Sequence, residues 1–160
     1  MECFKTFRKA PPSQLIMTLL VKNEESMLEE NLLFHKAMGV DSFIITDNNS
    51  TDSTPEIIRK YKQKGWIKEV IEEKATDYEQ KEWVDRMIWK AKTIYKADWI
   101  INADADELWY SPSGNLKTDL SATHANVLNC EMRSVYPEEN QPFWQWDKVV
   151  KPVSEPERYD

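Results

Sequence analysis

Four apolar runs, each of strand length, punctuate the chain between Leu15 and Asn102. Leu15 to Val21 reads LIMTLLV, a nearly unbroken run of the kind found in strands covered on both faces. SFIIT (Ser42 to Thr46) repeats that pattern, WIKEVI (Trp66 to Ile71) is half polar, and DWIIN (Asp98 to Asn102) closes the series. Between the runs the period becomes helical. From Glu24 to Met38, Leu28, Leu32 and a neutral His35 recur on one face, and Gly39 supplies a stop. A second helix opens with Thr54 as N-cap and Pro55 at the first helical position, and ends at Gly65. The longest predicted helix runs from Asp77 to about Ala97. Thr76 and Glu79 have capping-box spacing there, and Trp83, Met87, Ala91 and Ile94 form one apolar stripe.

Strand and helix therefore alternate, beginning and ending on a strand. Crossover connections turn such an order into an α/β fold with a central, mostly parallel sheet and helices on both faces. Past Ser111 the periodicity weakens: SPSGN reads as a turn, NVLNCEM (Asn126 to Met132) as a further strand, and the Pro- and aromatic-rich remainder as extended segments and loops. Residues 1–14, with Pro11-Pro12, read as a leader, 15–110 as the main α/β half, and 111–160 as the start of a further region that is incomplete.

Composition narrows the picture. At 160 residues and 41% hydrophobic content, with seven Trp, six Tyr and five Phe, the chain is one globular domain with a real core. A net charge of -7 excludes general nucleic-acid affinity through a basic surface, so an anionic ligand would need a metal or a local basic patch. Cys3 and Cys130 make neither a disulfide framework nor a CxxC site and read as reduced, buried thiols. Leu15 to Val21 is too short to span a bilayer and the preceding residues lack a signal-peptide core. A cytoplasmic location follows, with peripheral contact at the inner membrane face left open. With three glycines in all, neither GxGxxG nor GxxxxGK[ST] is present.

The chemistry concentrates where strands end. The first strand runs into KNEE (Lys22 to Glu25), the second into DNNSTD (Asp47 to Asp52), and the fourth into DADE (Asp104 to Glu107). Ligands of open parallel sheets bind outside the carboxyl ends of the strands, and a strand order 3-2-1-4 brings these three loops to one edge. Clustered acids without nearby Lys or Arg repel one another unless a cation offsets them. Asp104 and Asp106, two apart, project to one side of an extended segment, and their hard oxygens suit Mg2+ or Mn2+. Two carboxylates are too few to cage such an ion, so water and phosphate oxygens complete it. An EF-hand is excluded, because Leu108 and Trp109 stand where its loop needs Asp or Asn and then Gly.

LLVKNEE, FHKAMGVDSFIITDNNSTDST and ADWIINADADELW, in this order and spacing, give the chain a resemblance to GT-A fold glycosyltransferases of the family 2 type and their relatives, over Leu15 to about Tyr110. The resemblance implies a Rossmann-like nucleotide-binding sheet and a nucleotide-sugar donor, a UDP-sugar foremost, lying across its edge. Asp47 and Asn48 match the position that contacts the base. Asn49, Asp52, Lys22 and Glu24 join the donor-binding set, with Gln80 and Arg86 on the helix before the fourth strand. Asp104 and Asp106 match the DxD pair holding Mn2+ or Mg2+, and Glu107 extends it to DxDE. Also implied are inverting, hexosyltransferase-type transfer to a saccharide or lipid-linked acceptor hydroxyl and a place in polysaccharide biosynthesis. His35 matches a histidine of some relatives and reads as a satisfied residue at the core boundary. No catalytic base is singled out among Glu131, Glu138, Glu139 and Asp147. The alternative is a noncatalytic nucleotide- or sugar-binding module, or a truncated donor-binding half.

Overall fold

The computed structural model describes residues 14–74, 80–123, 125–128, 130–135, 138–141 and 145. Strands β1 (Leu15–Val21), β2 (Ser42–Asp47), β3 (Ile67–Glu72) and β4 (Trp99–Ala103) alternate with helices α1 (Leu28–Ala37), α2 (Thr54–Gln63) and α3 (Gln80–Thr93), and a short α4 (Leu116–Ser121) follows. The sheet has the order β3-β2-β1-β4 and every neighbouring pair is parallel. This is the expected α/β architecture, a parallel sheet flanked by helices.

The packing of β1 explains why its sequence is apolar at every position but Thr18. Leu15, Met17, Leu19 and Val21 share one core with Leu28 and Leu32 of α1 and with Ile58 and Tyr61 of α2. Ile16 turns to the other face, where it meets Ile44 of β2 and Met87 and Ala91 of α3. Side chains alternate along a strand with period two, so a strand covered on both faces must be apolar at odd and even positions alike. β3 lies at an edge and can carry Lys68, Glu69 and Glu72. Such charges discourage pairing with another chain, and Lys90 of α3 pairs with Glu69 at 2.5 Å.

Helix ends differ from the expectation in instructive ways. α1 starts at Leu28 rather than Glu24: residues 25–27 form a turn in which the Met27 and Leu28 N–H groups both donate to the Glu24 carbonyl, while the N–H groups of Glu24 and Glu25 donate to Thr54 Oγ1 and Asp52 Oδ2. Thr54 sits inside α2 with Ser53 as N-cap, and Asp52 Oδ1 accepts from the Thr54 N–H at 2.9 Å. Gly39 closes α1 at φ +97°, and a Cβ there would lie 2.8 Å from Asn115 Oδ1, so both backbone conformation and space require glycine. Trp83, Met87 and Ala91 are buried as predicted, whereas Ile94 is 52% exposed, because α3 ends at Thr93 and Ile94 falls in the following turn. The proposed start at Asp77 and the capping box of Thr76 and Glu79 lie outside the described residues.

The unpredicted α4 is capped by Asn115, whose side chain accepts from the N–H groups of Lys117 and Thr118. It is docked by the Leu116 N–H on the Met38 carbonyl at 2.8 Å and by Lys117 on Asp41 at 2.9 Å. The chain divides into two compact units, Met1–Thr123 and His124–Asp160. In the second unit, the described residues of the Asn126 to Met132 stretch form no strand. Val127 and Met132 are exposed, so no apolar face is buried to hold a strand there. Cys130 is a free, exposed thiol rather than a buried one, and Cys3 lies outside the described residues. Among the described residues no helix is long and apolar enough to cross a membrane.

Candidate functional site

Because all four strands run in parallel, their carboxyl ends share one edge, and β1, β2 and β4 are contiguous along it. The loops after β1 and β2 are fastened together side by side. Asn23 N–H donates to Ser50 Oγ at 2.9 Å, while Asn23 Oδ1 accepts from the Thr51 N–H at 2.8 Å. Glu24 N–H reaches Thr54 Oγ1 at 2.8 Å, and the Ser53 N–H donates to Glu25 Oε2 at 2.9 Å. Asp52 accepts from the N–H groups of Glu25 and Thr54. Asn23 and Asn49 hold positive φ, +57° and +55°. Asparagine tolerates this conformation better than other side-chain-bearing residues. Much of DNNSTD is thus engaged in shaping the edge, Asp52 through one bond on each carboxylate oxygen.

Other sequence candidates fall as follows. Asp47, at the end of β2, is 9% exposed and accepts from the Ser50 N–H at 3.1 Å. It borders a cleft of about 200 Å³ lined also by Ile58, Arg59, Lys62, Val70 and Glu72. Asn48 is buried with its N–H on the Val21 carbonyl, and Asn49 and Lys22 are exposed. Glu73 donates its N–H to the Asp47 carbonyl, and its carboxylate holds Arg86 of α3 at 2.7 Å. Arg86 is thereby fixed near the end of β2, with its buried Nε unpartnered among the described residues. Gln80 is exposed at the first position of α3.

The acidic segment after β4 is a tight turn rather than an extended strand, since the Glu107 N–H donates to the Asp104 carbonyl at 3.1 Å. Ala105 points inward, only 3% exposed, and leaves Asp104 and Asp106 exposed on either side. No side chain or backbone donor among the described residues hydrogen-bonds either carboxylate. Glu24 registers their proximity from the β1 loop. Its carboxyl is held above the ordinary range by burial first, then by the negative charges of Asp106, Asp52 and Asp104. Three loops distant in sequence therefore put four carboxylates into one another's field.

Among the described residues no three Asp, Glu, His or Cys side chains are close enough to hold a metal by themselves. What the edge offers is a pair of hard, unengaged oxygen donors in a field that disfavours more negative charge. That fits a Mg2+- or Mn2+-sized ion whose remaining positions go to water and phosphate oxygens.

The feature sequence reasoning missed lies beneath the turn. Asn31 and His35, one turn apart on α1, are both fully buried. Asn31 Nδ2 donates to the carbonyls of Ala105 at 2.9 Å and Glu107 at 3.0 Å, and lies 3.5 Å from that of Asp104. His35 Nε2 accepts from the Trp109 N–H at 2.9 Å, so the ring proton sits on Nδ1 and is donated to Asn31 O and Oδ1. Burial lowers the His35 pKa to about 4, which keeps the ring neutral. The signal was present in the sequence: Leu28, Asn31, Leu32 and His35 share the inward face of α1, and a polar residue on such a face must find partners.

A family model, Glycosyltransferase family 92, matches residues 17–160. No curated protein matches the chain. Solved structures to which it is similar include the mannosyltransferase PcManGT from Pyrobaculum calidifontis in complex with GDP-Man and Mn2+. That structure is 18% identical with a TM-score of 0.48, over 64% of this chain and 30% of that one. S. aureus TarS is 17% identical with a TM-score of 0.49, over 68% of this chain and 19% of that one. The chain thus spans less than a third of the length of either.

Proposed function

We propose, since the chain belongs to glycosyltransferase family 92, that the sheet edge described above binds a nucleotide-sugar donor for transfer to an acceptor hydroxyl. The observation carrying this reading is the exposed, unpartnered pair Asp104 and Asp106 on a braced turn at the carboxyl edge of a GT-A-like parallel sheet. The chain has no glycine cradle for a diphosphate, and beside the acidic turn a bound cation would serve that role. Asp104 and Asp106 would hold Mn2+ or Mg2+, which when bound offsets the charge that develops on the departing nucleoside diphosphate.

The chain's own residues serve the donor in distinct ways. Asp47 offers its second carboxylate oxygen and the adjacent cleft to the base, with Asn48 buried behind it. A UDP-sugar is the first donor to try, with GDP tested beside it because Asn48 departs from the second acid that the resemblance implies at that position. Asn23, Asp52 and Thr54 keep the first two loops in register, so that Lys22, Glu24 and Asn49 face the same edge. Transfer is a single inverting displacement: the acceptor oxygen bonds to the anomeric carbon as the bond to the diphosphate breaks, and a carboxylate takes the hydroxyl proton. Among candidate bases, Glu131 is engaged by Arg133 at 3.0 Å, which holds its pKa low, and Asp147 lies outside the described residues.

Calorimetry with UDP and GDP, each with and without Mn2+, tests the donor site. The reading requires nucleotide affinity that rises at least tenfold with Mn2+. Release of free sugar from a nucleotide sugar then separates an enzyme from a binding module. Nucleotide binding indifferent to Mn2+ and to Asp104→Ala sinks the metal assignment.

A further inference from the structure

We infer that Asn31 and His35 are positioning residues that set the Asp104–Asp106 turn for metal and diphosphate, a role that rests on the donor-site reading above. The residues that would touch the ion stand on a turn with little regular structure of its own, because β4 ends at Ala103. A turn of this kind at a sheet edge is free to move unless its backbone polar groups are tied down. Here they are tied from below by two side chains of one helix. The two Asn31 amide hydrogens go to the carbonyls of Ala105 and Glu107, which flank Asp106 on both sides. The Trp109 N–H, two residues beyond, ends on His35.

Chemistry fixes the direction of every bond in this chain. Carbonyl oxygens cannot donate, so the Asn31 amide must present nitrogen to the turn and oxygen to His35. The Trp109 N–H cannot accept, so Nε2 must be the unprotonated nitrogen and Nδ1 must carry the proton back to Asn31. Each residue therefore determines the other's orientation, and only one arrangement satisfies both. Neither side chain is accessible to a ligand, since both are 0% exposed. Their effect on binding passes through the backbone of residues 104–109. Outer partners of this sort typically matter 10- to 100-fold for metal affinity, about as much as their geometry implies.

The experiment is made on the full chain with three variants: Asn31→Leu, of similar shape without donors; His35→Leu; and His35→Gln, which keeps an acceptor for Trp109. Calorimetry measures UDP affinity with and without Mn2+ for each, and 15N NMR reads the His35 tautomer and the hydrogen exchange of the Trp109 amide. Expected are an Nδ1-protonated ring and a slowly exchanging Trp109 amide in the parent. Asn31→Leu should lose about 10- to 100-fold of the Mn2+-dependent affinity while metal-free affinity stays within threefold. His35→Gln should recover most of what His35→Leu loses, which a simple packing role would not produce.

An Nε2-protonated ring or a rapidly exchanging Trp109 amide in the parent overturns the brace, without requiring any variant to fold. Parent binding with undiminished Mn2+ dependence in folded Asn31→Leu overturns the positioning role alone. A parent that takes up no Mn2+ with nucleotide overturns the donor-site reading, and the role assigned to Asn31 falls with it.

Discussion

Asn23 Oδ1 accepts the backbone hydrogen of Thr51 at 2.8 Å, joining loops 28 positions apart. Asn23 does so from a left-handed conformation at φ +57°, so it contributes both an acceptor and a tolerance for unusual backbone. The two contributions can be separated by substitution.

Asn23→Ala loses both and should destabilise the fold by roughly 1–3 kcal/mol, from the lost hydrogen bond plus the cost of positive φ. Asn23→Gly restores the conformational freedom alone and should recover part of that loss. Urea denaturation of the three proteins checks this order; equal stability of the Ala and Gly variants would show that conformation is immaterial.

His35 makes stability pH-dependent in a predictable direction. Its folded pKa is about 4 against an ordinary value of 6.5, so the unfolded chain binds the proton first as pH falls. The contribution is complete above about pH 6.5, declines between 6.5 and 4, and is gone below 4. Its size is on the order of 3 kcal/mol. His35→Gln removes this contribution, so the gap between the two proteins in denaturation midpoint should narrow as acid is added across that window. A gap constant from pH 7 to 4 contradicts burial of a neutral ring.

The acids at the sheet edge oppose one another while no cation is bound. Asp106→Asn should therefore lower the Glu24 pKa toward the ordinary range, though not to it, because burial is the larger cause. 13C NMR titration of the Glu24 carboxyl reads the shift. The same variant should lose at least tenfold of the Mn2+-dependent nucleotide affinity. An unmoved Glu24 titration would mean that the two loops do not share a field.

Gly39→Ala should destabilise by about 1–3 kcal/mol, combining a positive φ with a Cβ 2.8 Å from Asn115 Oδ1. Because the clash falls on the cap of α4, Asn115→Ala in the Gly39→Ala background should cost less than in the parent. Thermal denaturation of the double-mutant cycle measures that difference.

The fold was legible where a pattern reported burial directly. Leu15–Val21 is apolar at every position but Thr18 because both faces are covered, and strand bounds and reading agree there to the residue. The sheet edge was legible because three of the strands end in polar clusters, although the reading made the acidic segment extended where a hydrogen bond folds it into a turn. What failed to show were features set by contacts distant in sequence. The bonds from the Glu24 and Glu25 N–H groups to Thr54 and Asp52 join segments far apart in sequence, and α4 has one buried residue, Leu116, with too little periodicity to announce a helix. That Asn31 faces inward was readable, but its partners were not, because they lie more than seventy positions away. A helix period shows only that a residue faces inward, not what it finds there.

Helix α1 faces two tasks at once. Leu28 and Leu32 seat it on the sheet, and Asn31 and His35, interleaved with them on the same face, hold the acidic turn. Rotation or sliding of this one cylinder would shift the hydrophobic interior and the aspartyl oxygens together. The placement of the acidic turn is thereby tied to the rigidity of the interior, and neither can be relaxed alone.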